Sequence, residues 1–333
     1  MTFEILMIGL AGVLASATPI VVATIGETIS ERAGVINLSL NGTLILSAMA
    51  GFAIAATTNN LYLGFLLGGI VGGVVALVMA FSSISLKQSQ VAVGFVLTFM
   101  CRDIAYFMGN PYMGLSGPKV PSAFAIPILS EIPILGDLLF TQNILTYLCF
   151  VLIAVSIFWF NKTRSGLILQ AIGERPAAAF VRGINVNKLR YIYTVLGGIL
   201  VGLSGPMYSL SVKAGWKGTI SGLDGFGWIV LAIVIFGGWK PGRAILGAYF
   251  FTLLQWLGLA LQANLPGIPP QVLQVAPFPL MIFTLLLVNI GRAEWVERSL
   301  AGLPDKPRLI ASKLLRTLRS TPPESLGVPF ESE

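Results

Sequence analysis

The stretch AGVINLSLNGTLILSAMAGFAIAATTNNLYLGFLLGGIVGGVVALVMAFSSISL, Ala33–Leu86, runs for 54 residues without a charged side chain. A helix needs about 20 apolar residues to cross roughly 30 Å of hydrocarbon. The stretch therefore holds two crossings, divided by the polar pair Asn59-Asn60. This decides the fold class: an all-α, polytopic membrane bundle.

Other charge-free windows repeat the pattern. Ile5–Gly26 has 22 residues, Leu138–Asn161 has 24 and Tyr191–Val212 has 22. Ala244–Gly291 has 48 and, broken by Asn264 and a run of prolines, holds two spans. Ser89–Met108, interrupted by Arg102-Asp103, and the short Gly227–Trp239 add one each. The expectation is about nine transmembrane helices, eight to ten if short or re-entrant pieces occur. Ile5–Gly26 lacks the basic start of a signal peptide and is long for its apolar core, so it reads as a retained span. The composition agrees, with 55% hydrophobic and 11% charged residues among 333. A soluble domain carries about 25% charged residues.

Lys and Arg set the orientation. With nine spans, 17 cations fall on one set of connections and 3 on the other, with Arg102 inside a span. The expectation is an outside N-terminus and a cytoplasmic C-terminus. The net charge of +7 then reports topology, and no nucleic-acid partner is expected. Residues 1–291 form the transmembrane domain. Within it, 109–140 is a Pro-rich extracytoplasmic loop that should form a structured cap, and 162–190 is a cytoplasmic segment. A short re-entrant piece would fit Lys213–Phe226. Residues 292–333 form a cytoplasmic tail, basic at first and expected to be disordered after Thr321. The rows Gly64, Gly68, Gly72 and Gly69, Gly73 should let helices approach closely.

Some chemistry is excluded. The chain has no His, so His-based metal sites, triads and proton relays are absent. Cys101 and Cys149 lie in apolar stretches and read as packing residues. No G-x-x-x-x-G-K-[ST] phosphate loop occurs, so no ATP site is expected on this chain.

In the cytoplasmic segment, four cations fall between Arg175 and Arg190. Pro176 suits a first helical turn, Glu174 stands before it at the positive end of the dipole, and Gly183 suits a stop. A short helix with an Ala-rich surface results, which leaves room for a close-fitting partner. An ordinary basic loop would be the plain alternative.

This segment, GERPAAAFVRGINVNKLRY (Gly173–Tyr191), resembles the coupling segment of ABC import permeases of the branched-chain-amino-acid, ribose and nucleoside type. ERAGVINLSLNGTLILSA (Glu31–Ala48), IPILGDLLFTQNILTY (Ile132–Tyr147) and GWIVLAIVIFGGWKPGRAILGAYFF (Gly227–Phe251) are similar in turn to further family motifs. The four in order look closest to the nucleoside, simple-sugar-like branch. Asn41 stands where that branch usually has Glu, and Phe226 stands where an Arg often precedes Gly-Trp.

The resemblance implies a permease subunit in the plasma membrane of a bacterium or archaeon. It implies ATPase subunits that carry ATP and Mg, an extracytoplasmic substrate-binding protein, surrounding lipid, and a second, related permease forming a heterodimer. The ATPase contact would fall on Gly173, Glu174, Arg175, Pro176, Ala177, Ala178, Ala179, Gly183 and Ile184. The substrate would be a nucleoside, with a monosaccharide or another ribityl- or base-containing solute behind it.

Asn37, Ser39 and Asn41 enter the second span, and Gln90 and Thr98 lie eight residues apart on the fourth. These could line a polar path or bridge helices. Trp228 or Phe226 could stack on a base, although Trp also serves as an interfacial anchor. Arg102-Asp103 could be an internal pair or a substrate contact. An ion-coupled transporter built on Arg102, Asp103 and Asp224, a membrane-embedded enzyme, and a structural subunit are the competing classes.

Overall fold

A computed structural model of the protein describes residues 3–127, 129–262, 279 and 321–331. Among these residues the chain is helical and has no strand. The elements are α1 (Phe3–Arg32), α2 (Leu40–Thr58), α3 (Leu61–Ala80), α4 (Gln90–Gly109), α5 (Leu135–Leu139) and α6 (Ile144–Lys162). They continue with α7 (Arg164–Glu174), α8 (Pro176–Val181), α9 (Val186–Met207), α10 (Phe226–Phe236) and α11 (Pro241–Gln262). Eight segments of the described residues are long and apolar enough to cross a membrane. They match the expected spans one by one up to α11. The ninth expected span lies between residues 263 and 291, outside the described residues, as does most of the expected tail.

The polar residues between the apolar runs act as helix ends. Asn59 ends α2 in the left-handed region at φ 51°, and Asn60 begins α3 by accepting from the N–H groups of Tyr62 and Leu63. Ser89, Asn143, Thr163 and Asn185 cap α4, α6, α7 and α9 in the same way. Each satisfies backbone donors that would otherwise be orphaned at a helix start.

In lipid there is little hydrophobic drive between helices, so close van der Waals packing holds them. The glycine rows supply it. A Cβ on Gly72 of α3 would lie 2.2 Å from the Gly198 carbonyl oxygen of α9. Gly51 of α2 and Gly68 of α3 form the notch that receives Pro206 of α9, with Cβ positions 2.5 and 2.3 Å from its ring. α1 crosses α9 at Gly26 and Gly197, equally tightly.

Between Lys213 and Phe226 the chain makes one 3-10 turn (Gly218–Ser221), passes through left-handed Gly222 and Gly225, and enters α10. α10 has 11 residues, or roughly 16 Å, and so covers only about half a bilayer core. The Pro-rich connection packs on the bundle as a cap: Val120 donates to Leu210 O at 2.9 Å and Phe124 to Gln142 O at 2.9 Å.

The expected disorder after Thr321 is corrected. Residues 321–331 fold back onto the bundle, and Ser325 donates its N–H to Gly173 O at 3.0 Å, Gly327 to Gly34 O at 3.0 Å. Phe330 packs on Phe180 with ring centroids 5.7 Å apart. The composition of this stretch is that of a loop, but the buried Arg190 gives it an anchor.

Candidate functional site

The first candidate site forms around the non-helical loop between α1 and α2, Ala33–Ser39. Lipid offers no partner to such backbone, so it must be satisfied within the protein. Gln90 and Thr98 do this from α4. Gln90 Oε1 accepts the Ile36 N–H at 2.7 Å, and Thr98 Oγ1 donates to Leu38 O at 2.6 Å. Glu27 Oε1 accepts the Asn37 N–H at 3.3 Å, and Asn37 Oδ1 accepts from Ser39 Oγ at 2.5 Å. Asn37, Ser39, Gln90 and Thr98 are all buried. The structure thus brings these predicted path residues together, as the polar lining of a buried loop.

Asn41, in the first turn of α2, faces α10 so closely that a Cβ on Gly227 would lie 2.3 Å from its backbone nitrogen. Its Oδ1 accepts the N–H groups of Gly225 at 2.8 Å and Gly227 at 3.3 Å. Its Nδ2 donates to Asp224 Oδ1 at 2.7 Å. Asn41 is therefore a buried cap supplied to α10 from another helix. It also holds Asp224 in place, and the second Asp224 oxygen accepts from Tyr106 OH at 3.4 Å.

Asp224 is exposed on the described chain. Four residues further along the chain, Trp228 of α10 meets Phe95 of α4 at 5.5 Å, and Phe95 stacks on Phe99 at 6.3 Å. Arg102 lies 5.0 Å above the Phe99 ring and pairs with Asp103 at 2.9 Å. Phe95, Phe99, Arg102 and Tyr106 are spaced by four, three and four residues, which places them on one stripe of α4. The result is an open face with a fixed carboxylate, a cation and aromatic rings. Sequence reasoning flagged Trp228 and the Arg102-Asp103 pair but missed the stripe, which its helical spacing could have revealed.

The second candidate site lies at the end of the bundle where Arg32, Lys87 and Arg190 gather. α7 runs into α8 with Pro176 at the first helical position, as expected. α8 has six residues and stops at Gly183, φ 82°, where Ile184 donates to Ala179 O at 3.1 Å. Ala177 and Ala178 are exposed, Ala179 is buried, and Val181 is 86% exposed. So α8 presents a small, smooth face outward and anchors through its third alanine. Glu174 ends α7, two residues before α8 begins, and pairs with Arg32 at 3.0 Å. Gly173 sits on the Arg32 carbonyl, where a Cβ would come within 2.0 Å of the oxygen, and its own carbonyl accepts from Ser325 Oγ at 2.6 Å. Arg175 and Gly183 are exposed and Ile184 is half-buried.

Nothing in either place resembles a centre for covalent chemistry. Among the described residues no group of His, Cys, Asp or Glu could hold a metal ion. Both cysteines are buried and unpaired.

The family described as branched-chain amino acid transport system, permease component, matches residues 9–288. The nucleoside ABC transporter permease NupC of Lactococcus lactis is 30% identical over 322 residues, covering 92% of this chain and 98% of its own. The guanosine ABC transporter permease NupQ of Bacillus subtilis is 31% identical over 309 residues, 87% and 94% of the two chains. TsgC13 of Haloferax volcanii, whose name assigns it provisionally to glucose, is 38% identical over 265 residues, 75% and 79%. No solved structure matches the chain. With the helical bundle, these likenesses show that the chain is a membrane-spanning ABC permease subunit and belongs to the family of branched-chain amino acid transport system permease components.

Proposed function

We propose that the protein forms the membrane path of an ATP-driven importer of nucleosides, in the plasma membrane of a bacterium or archaeon. The observation that carries the substrate class is the open face at Asp224. Its carboxylate is fixed by Asn41 at 2.7 Å, and Trp228, four residues further along the chain, meets Phe95 of α4 at 5.5 Å. An aromatic pair suits the flat face of a base, and a carboxylate accepts hydrogen bonds from ribose hydroxyls or ring N–H groups. The likeness to NupC and NupQ supports the same class.

The open face needs a facing surface to become a closed path. A second, related permease supplies it, and an external binding protein delivers the substrate. The cation-rich end faces the cytoplasm, as the positive-inside rule requires. There the exposed Ala177-Ala178 surface of α8 docks on an ATPase subunit, which carries the ATP and Mg. This chain moves substrate without covalent chemistry.

A second reading, a monosaccharide substrate, is favoured by the likeness to TsgC13. Uptake into vesicles bearing the whole transporter separates the two. Labelled nucleoside uptake that unlabelled nucleosides suppress, and glucose does not, supports the first reading. The reverse pattern replaces it. Uptake must also survive an uncoupler and stop when the ATPase is inactivated; dependence on the ion gradient instead would overturn the ATP-driven mechanism.

A further inference from the structure

The half-length helix α10 is held at both ends by contacts from other elements. At its start, Asn41 caps it and ties it to Asp224. At its end, Gly237, Gly238 and Trp239 turn the chain into α11. Trp239 takes φ 55°, a left-handed conformation that a bulky side chain adopts only where its surroundings compel it.

Those surroundings are visible. Trp239 is 6% exposed, so it is no interfacial anchor. Its indole Nε1 donates to Glu31 Oε2, and its carbonyl accepts from Arg32 Nε at 2.7 Å. The same Arg32 donates from Nη1 to Glu174 Oε1 at 3.0 Å. Glu174 is the last residue of α7, two before the start of α8. One guanidinium therefore touches both the helix pair read as the motor contact and the turn at the end of α10.

α10 itself is stiff. Ile229, Val230, Leu231, Ile233 and Val234 are buried, and its backbone forms one continuous hydrogen-bonded rod. A shift imposed at Trp239 carries Gly225 and Asp224 with it.

We propose that Trp239 is a positioning residue. Through Arg32 and Glu31 it passes displacement of α7–α8 along α10 to the Asn41–Asp224 contact at the substrate face. This rests on the reading of α8 as the ATPase contact.

The test uses vesicles containing the complete transporter with its ATPase and binding protein. Uptake and ATP hydrolysis are measured together. Trp239→Phe keeps a ring in place and removes the N–H that Glu31 accepts. The expected result is normal assembly and basal hydrolysis, with substrate moved per ATP reduced about tenfold, the factor a hydrogen bond to a charged group carries. Glu31→Gln keeps an acceptor for the indole and should retain most of the coupling. Arg32→Lys keeps the charge opposite Glu174 but cannot reach both partners, and should uncouple like Trp239→Phe. If Trp239→Phe does not assemble, Arg32→Lys decides alone.

Unchanged uptake per ATP, or uptake and hydrolysis falling in proportion, overturns the proposal. An oxidant-induced disulfide between Ala178→Cys and a cysteine introduced on the ATPase docking surface, measured in parallel, separates the two readings. No cross-link means that the docking assignment has failed, and the proposal falls with it. A cross-link with unchanged coupling in Trp239→Phe means that transmission alone is wrong.

Discussion

The guanidinium of Arg190 donates to the carbonyl of Val328, 138 residues further along the chain, at 2.8 Å. A second donor reaches Ser325 Oγ at 2.9 Å. Arg190 is 1% exposed and makes no ion pair with a described carboxylate, so the cation is held by the backbone and hydroxyl of the returning segment. That segment in turn bonds Gly173 and Gly34. The end of α7, the α1–α2 loop and the start of α9 are thus tied by one short strap.

Arg190→Leu should release the strap. It removes two hydrogen bonds to a charged group, each contributing about 1.5–3 kcal/mol. It also removes a cation that is costly to bury, so the bundle itself should persist. A broad-specificity protease should cut within residues 321–331 at least about tenfold faster, as a loss of that size implies. Lys87→Ala, by contrast, breaks only the exposed pair with Glu331, whose side chains are 53% and 62% exposed, and should leave the cleavage rate nearly unchanged. Equal protection in Arg190→Leu and the unmodified chain would show that the strap is held elsewhere.

The two glycine rows of α3 should differ sharply in tolerance. Gly72→Ala puts a methyl 2.2 Å from a backbone oxygen of α9, which cannot yield without moving the helix. Gly69→Ala meets the tip of the Leu203 side chain at 3.3 Å, which can rotate away. Overpacking of the first kind costs about 1–3 kcal/mol. Thermal unfolding in detergent should show a lowered midpoint for Gly72→Ala and little change for Gly69→Ala.

Asn41 and Asp224 should separate by the same pair of measurements. Asn41→Leu strands two N–H groups of α10 and frees Asp224, at about 1–3 kcal/mol for each buried group left unsatisfied. Both stability and uptake should fall. Asp224→Asn alters an exposed group, so the unfolding midpoint should hold while uptake falls. A lowered midpoint with normal uptake for Asp224→Asn would mark that residue as structural.

The spans were readable from sequence because hydropathy is carried by each residue alone. So were their ends: Asn59-Asn60 interrupts an apolar run, and in the structure one closes α2 while the other caps α3. The start of α8 at Pro176 is equally local. The role of Asn41 was not readable, since the carboxylate it holds is 183 residues away. Nor was the order of residues 321–331, which depends on a buried arginine 135 residues before Ser325. Nor was the partner of Glu174: two residues before Pro176 it reads locally as a charge for α8, and its pairing with Arg32, 142 residues earlier, leaves no local signal.

The most direct check on the motor contact uses neighbouring alanines. Ala178 is exposed, while Ala179 is 4% exposed and belongs to the main apolar core. An arginine at Ala179 must either bury an unpaired charge or drive α8 off the bundle, a penalty of several kcal/mol. Ala179→Arg should therefore fail to accumulate as a folded protein. At Ala178 the same side chain extends into water and leaves the core untouched. Ala178→Arg should unfold at the unmodified temperature, yet its bulk should block any surface that fits closely against α8. Co-purification of the ATPase should be lost, and uptake with it. If Ala178→Arg retains the ATPase and transports normally, then the outward face of α8 is not where the motor binds, whatever its shape suggests.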